Sequence, residues 1–391
     1  MQTIALTLVL WFIFTIPLEN SIVIPGIGTI SRASGIVACI AATGAFAFKR
    51  RVRRLDVFHL LFFGFVGWGI LSYLWAVDPD RSLMKVVTML QLPPFLWLLW
   101  QFIDKKVDVL RALQAFVLGA FVSVFLTFWS YRQGTEVAYL RFSAVGFDPN
   151  ELSVILSIGI PVAWYLSLQS AGILMKWLNR AYVPLAFVAI LLTGSRTGLV
   201  AAVFGALFIV TTTLNTSWRA RFAAILVAAV GGIAVMQVIP QSIWNRLATL
   251  GKEVHLGTMH GRTVIWQWGI DTWLKDPLLG VGVGSFSSAT KLSSGRFAAS
   301  HNALLSVLVE QGIVGFVMLS GLMLILLVYI LKMDGLHKKL YLHVFLVLAV
   351  GLLTLSWDVK KPVWLLCGLF LSHMYCMRGE SAPGSNVGNP A

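Results

Sequence analysis

The sequence predicts an all-α polytopic membrane protein with about twelve transmembrane helices, and three observations carry that prediction. Only 12% of the 391 residues are charged, against about a quarter in a soluble domain. Hydrophobic residues make up 58% of the chain, and the mean hydropathy is +0.83. Apolar stretches close to the ~20 residues needed to cross a bilayer recur along the whole length. The competing reading, one large soluble core, fails because so little polar surface could not cover it.

The spans read, in order, as roughly 3–18, 30–48, 56–76, 83–103, 112–131, 152–170, 181–194, 198–214, 222–239, 313–331, 340–357 and 362–377. The first lacks a basic leader and a small-residue cleavage site, so it reads as a retained span and not a removed signal peptide. The segments 3–18, 181–194 and 362–377 are short and must draw in neighbouring polar residues. Between the ninth and tenth spans lies a long segment, about 240–312. Its stretch "RTVIWQWGIDTWLKDP" places Trp266, Trp268 and Trp273 among aliphatics, the texture of a helix at headgroup level. "HNALLSVLVEQG" (301–312) is too short to span. It reads either as a re-entrant or interfacial helix stopping at Gly312 or as the start of one long kinked helix. Residues 1–378 form one transmembrane domain, and the small polar tail 379–391 is expected to be a disordered cytoplasmic end.

A net charge of +14 would point to nucleic acid in a soluble protein. In a membrane protein the positive-inside rule accounts for it first. Placing "KRRVRR" (49–54) inside puts both termini inside, together with sixteen of the thirty Lys and Arg residues but five of the sixteen acids. Fourteen cations remain outside, among them Arg32, Arg81, Lys85, Arg141, Arg196, Arg246, Arg262 and Lys360. Cations at membrane depth need partners, and an anionic ligand is one candidate.

Arg196 lies in "TGSRTG", where one span ends outside and the next begins. A guanidinium beside an outward-pointing helix N-terminus makes an anion site suited to phosphate. A structural arginine closing a short hairpin fits the sequence equally well. Arg262 opens the Trp-rich helix after Gly261, where contact with lipid phosphate is the simpler explanation. His301, at "AASHNALL", can accept a proton at neutral pH. The remaining histidines carry less: His59, His343 and His373 fall in spans, His337 in an inner loop, and His255 and His260 near Glu253 have poor metal spacing. "DPD" (78–80) reads as a turn before a helix. "GVGVGS" (280–285) lacks dinucleotide-binding spacing, and no G-x-S-x-G elbow occurs. The three cysteines form neither a zinc pattern nor a disulfide framework. No cofactor and no metal are expected.

Taken together, "TGSRTGL", "GRTVIWQWGIDTWLKDPLLGVGVGSF" and "SHNALLSVLVEQGIVGFV" resemble the O-antigen ligase and polymerase family, as do "SYLWAVDPDRSL" (72–83) and "FDPNELS" (147–153). The resemblance implies a GT-C fold in the bacterial inner membrane, both termini cytoplasmic, and an active site facing the periplasm. It implies a metal-independent, inverting transfer of a glycan from undecaprenyl diphosphate. The acceptor would be a lipid A core or a second lipid-linked glycan. Arg196 and Arg262 match the family's donor-diphosphate arginines and His301 its proposed base. Asp358 matches a late acidic residue, Lys85 or Arg81 an early basic one, and Asn150 falls in the matching "FDPNELS". A ligase is the first reading and a polymerase with the same donor chemistry the second. A lipid-linked glycan transporter would place charges inside several spans with repeat symmetry, whereas here polar groups gather at the outer face. A metal-dependent transferase would need Asp78 or Asp80 as ligands.

Overall fold

The structure is a computed structural model that describes residues 1–46, 52–137, 141–213, 217–218, 236–237, 239–248 and 261–380. The protein is a multi-pass helical membrane protein. Eight helices among the described residues are long and apolar enough to cross a bilayer, and Gln2–Leu18 and Ile30–Phe46 are shorter apolar helices. The predicted span 222–239, the tail 381–391, and His255 and His260 lie largely or wholly outside the described residues. The other eleven predicted spans fall on helical segments among the described residues.

In chain order the helices are α1 (Gln2–Thr15), α2 (Ile30–Phe46), α3 (Val57–Leu71), α4 (Pro79–Met89), α5 (Leu92–Phe102), α6 (Lys106–Arg132), α7 (Pro149–Gln169), α8 (Ile173–Leu192) and α9 (Arg196–Thr213). There follow α10 (Gln241–Ala248), α11 (Arg262–Trp273), α12 (Phe286–Ser294), α13 (Ala303–Leu331), α14 (Gly335–Thr354) and α15 (Lys361–Glu380). A two-residue hairpin, β1 (Val23–Ile24) with β2 (Gly28–Thr29), precedes α2. α7 packs on α6, α8, α9 and α14, and 83% of its apolar window is buried. An apolar surface that continues all round a helix is what such a central position requires.

Two spans are broken, and both breaks have a chemical cause. The predicted span 83–103 is two helices, because Pro93 and Pro94 open α5 and supply no N–H to the carbonyls of the preceding turn. In α13 the helical backbone is interrupted at Gly312, with φ 65° and ψ −168°, a conformation open essentially to glycine alone. A short helix, 303–311, therefore ends there and the span proper continues from Ile313.

Carbonyls freed at such a break must be satisfied by protein. The loop after α11 does this. Val281 N donates to Val309 O at 3.0 Å, Gly282 N to Glu310 O at 2.8 Å, and Trp68 Nε1 to Gln311 O at 2.9 Å. Ile313 N in turn donates to Pro277 O at 2.9 Å. The approach is so close that a Cβ on Gly312 would lie 2.1 Å from Leu278 O. This insertion carries the loop into the bundle and fixes Glu310 at its rim.

The two ends of the bundle differ. At one end Arg53 donates to Trp100 O, its backbone pairs with Gln101, and Tyr329 donates to Asp56. This end gathers the segments that the charge pattern assigns to the inside. The other end holds the turn between α8 and α9, the start of α7, the loop before α13 and the start of α15.

Candidate functional site

Three chain segments converge on Asp148. Its carboxylate caps α7 by accepting from Asn150 N at 2.8 Å and Glu151 N at 3.2 Å. It also acts electrostatically on Arg141, Arg262 and His301. Pro149 at the first helical position pre-sets the backbone for this cap.

The turn between α8 and α9 is built from guanidinium groups around a glycine. Gly194 has φ +56°, and a Cβ there would touch the side chains of both Arg141 and Arg246 at 3.5 Å. Arg141, 8% exposed, donates through Nε to Thr193 O at 2.7 Å and through Nη2 to Asn150 Oδ1 at 2.9 Å. Ser195 Oγ donates to the same Asn150 oxygen at 3.0 Å. Arg246 Nε donates to Gly194 O at 3.2 Å. Arg196 grips the Arg246 carbonyl with two N–H groups, Nε at 3.1 Å and Nη2 at 2.9 Å. A backbone carbonyl is thus one structural partner of Arg196, and the contact ties α9 to α10. Burial, with Arg246 adding to it and Asp148 opposing it, pushes the Arg141 guanidinium down to about 10.

His301 stands at φ 46°, the one non-glycine residue with positive φ among the described residues. Such strain is held by its neighbours. Ser300 pairs with Ser356 at 2.9 Å and accepts Trp266 Nε1 on its carbonyl at 3.0 Å. Asn302 caps α13 by accepting Leu305 N at 3.0 Å. Burial and the nearby Arg262 charge lower the imidazole's pKa, and Asp148 partly opposes them, so the neutral ring is favoured. Arg262 is the first residue of α11, immediately after Gly261 at φ 77°.

Beside Ser300 lies a second group of charges. Lys85 Nζ sits 2.7 Å from Glu310 Oε2 and 2.8 Å from Asp358 Oδ2. Both carboxylates are buried, at 3% and 1% exposure. Of the two early cations, Lys85 reaches them, while Arg81 stays at the rim. There it pairs with Asp78 at 3.4 Å and lies over the Phe297 ring. Asp78 itself caps α4, accepting from Arg81 N at 3.1 Å and from the Ser288 hydroxyl. The turn expected at "DPD" is therefore a helix cap. Lys360 binds Glu151 at 2.7 Å and joins the start of α15 to the start of α7.

All seven residues singled out in the sequence lie at this one end. They form two neighbouring groups, Asn150, Arg196, Arg262 and His301 in one and Arg81, Lys85 and Asp358 in the other. Arg141, Asp148, Arg246 and Glu310 join them as residues the sequence reading did not assign to a site. Glu310 had a signal, an acid inside an apolar stretch at membrane depth. Arg141 had only its place among the outward cations.

Residues 181–320 match the Wzy_C family model, described as O-antigen ligase. Residues 181–320, about a third of the chain, are similar to that family. That segment runs from α8 into α13 and supplies Arg196, Arg246, Arg262, His301 and Glu310. Lys85, Arg141, Asn150 and Asp358 come from outside it. Over 283 residues the chain is 25% identical to the exopolysaccharide production protein ExoQ of Rhizobium meliloti (strain 1021). The alignment takes in 67% of this chain and 63% of that protein, so the chain spans less than two thirds of its relative.

Proposed function

We propose that the protein is a glycosyltransferase that moves a glycan from undecaprenyl diphosphate to an acceptor hydroxyl at the periplasmic face of the bacterial inner membrane. The observation that carries this reading is the cluster of Arg141, Arg196 and Arg246 held by hydrogen bonds around the Gly194 turn, with Arg262 and His301 near enough to the start of α7 to feel the Asp148 charge. It is the arrangement a diphosphate leaving group needs beside a base. Arg196 and Arg262, with Arg141 and Arg246, hold the donor's diphosphate. Fixed cations aimed at developing charge lower the barrier without rearranging during reaction.

In the step itself the acceptor O–H gives its proton to the neutral His301 ring. The oxygen's electron pair forms the bond to the anomeric carbon. The bond from that carbon to the diphosphate oxygen breaks, and undecaprenyl diphosphate leaves with the electron pair. A single displacement inverts the anomeric centre. No nucleotide or metal enters this reading, since the diphosphate is already an activated leaving group.

The acceptor in the first reading is a lipid A core, as for an O-antigen ligase. The ExoQ relative, an exopolysaccharide production protein, favours a second reading in which the acceptor is another lipid-linked glycan and the product a polymer. Purified protein in lipid discs, supplied with an undecaprenyl-diphosphate glycan and lipid A core, separates these on a gel. Core-linked product supports the ligase, and a ladder formed without core supports the polymerase. Donor crossing between leaflets with no transfer would replace both with a transporter.

A further inference from the structure

We infer that the cavity beside Lys85 is the subsite for the acceptor's reacting sugar, and that it selects an uncharged polyol ring over a phosphorylated one. The inference rests on the transferase reading and adds where the acceptor sits and what it must carry. The cavity measures about 380 Å³ and is lined by Lys85, Glu310, Asp358, Ser300, Ser306 and Ser356, with Phe286 as an apolar wall.

Its charge has the opposite sign to that of the neighbouring arginine group. One ammonium lies between two carboxylates, so the triad carries one net negative charge. Arg81, also at the rim, is already paired with Asp78. A phosphate is repelled here and drawn to Arg141, Arg196, Arg246 and Arg262, so each substrate finds its own half.

One buried oxygen beside this cavity lacks a hydrogen-bond donor among the described residues. Asp358 is 1% exposed and lines the space, and its Oδ1 has no hydrogen-bond partner among the described residues. Leaving such an atom unpaired is costly. Sugar hydroxyls donate hydrogen bonds, and a phosphate dianion offers acceptors alone. Ser300 lines the same cavity and directly precedes His301. A ring bound against Glu310 and Asp358 lies beside the residue that precedes the imidazole. Glu310 is a specificity residue in this account, because it contacts the acceptor and not the departing diphosphate.

The test uses the full chain in lipid discs and three radiolabelled probes in equilibrium binding: decyl glucoside, decyl glucoside 6-phosphate and undecaprenyl diphosphate. The expected result is a preference of at least about tenfold for the neutral glucoside over its phosphate, the size of one charge-assisted hydrogen bond. Glu310→Gln should weaken glucoside binding and erase most of that preference, with undecaprenyl diphosphate binding unchanged. Ser306→Leu narrows the cavity while keeping all three charged side chains of the triad, and should also weaken the glucoside alone. Equal binding of the two glucosides to the unaltered protein overturns the inference. So does a Ser306→Leu protein that binds glucoside normally, which decides the matter even where Glu310→Gln fails to fold. Selective glucoside binding by a protein that ignores undecaprenyl diphosphate would leave this subsite standing and remove the donor reading instead.

Discussion

The Lys85 ammonium lies 2.7 Å from the Glu310 carboxylate, across 225 residues of sequence. It joins α4 to the last turn before the break in α13, and Asp358 at 2.8 Å extends the contact to the approach of α15. Three parts of the chain are held by one charge. Removing it leaves two buried carboxylates uncompensated, which costs about 3–5 kcal/mol. Lys85→Met is therefore expected to lower the Tm in detergent markedly. Adding Glu310→Gln and Asp358→Asn to it should restore much of the loss, since the stranded charges are then gone. A Lys85→Met protein as stable as the parent would show that the triad is not fully desolvated.

His301 gives a pH dependence with a defined sign. A base must be neutral, so the rate should be full above the folded pKa and fall as pH drops through it. Burial and Arg262 place that pKa below the ordinary value, and the limb of kcat/KM is expected below about pH 6.5. Arg262 lowers the pKa and Asp148 raises it. Arg262→Ala should thus move the limb to higher pH and Asp148→Asn to lower pH. Shifts in the same direction, or none, would take His301 out of the base role.

The break in α13 makes a steric prediction. Gly312→Ala puts a Cβ 2.1 Å from Leu278 O and forces alanine into a glycine-only conformation, at a cost of about 3 kcal/mol or more. Lower yield and a lower Tm are expected. Gly67→Ala in α3 serves as the contrast, because nothing lies within 4 Å of the added carbon. It should change stability by less than about 1 kcal/mol.

The spans were legible because apolar length is a property of the chain itself. The breaks were harder to read. Pro93 and Pro94 lie inside an apolar run whose length alone suits a single crossing. At 301–312 the re-entrant and kinked-helix readings stayed open, since the choice depends on hydrogen bonds from residues 277–282 that sequence spacing does not reveal. Arg196, Arg262 and His301 were legible through local motifs and a family resemblance. Glu310 and Arg141 were not, because their partners, Lys85 and Asn150, are brought to them by tertiary packing. The Arg196 contact with the Arg246 carbonyl was equally out of reach, for nothing near "TGSRTG" specifies α10.

The central claim is that arginines at one end of the bundle hold a lipid diphosphate while His301 takes the acceptor's proton. Undecaprenyl diphosphate binding and glycan transfer, measured side by side in lipid discs, test it most directly. His301→Ala is expected to bind undecaprenyl diphosphate like the unaltered protein and to lose at least about a hundredfold in transfer rate. The double variant Arg196→Ala, Arg262→Ala is expected to bind it at least about tenfold more weakly. Undiminished transfer by His301→Ala, or undiminished binding by the double variant, would contradict the account.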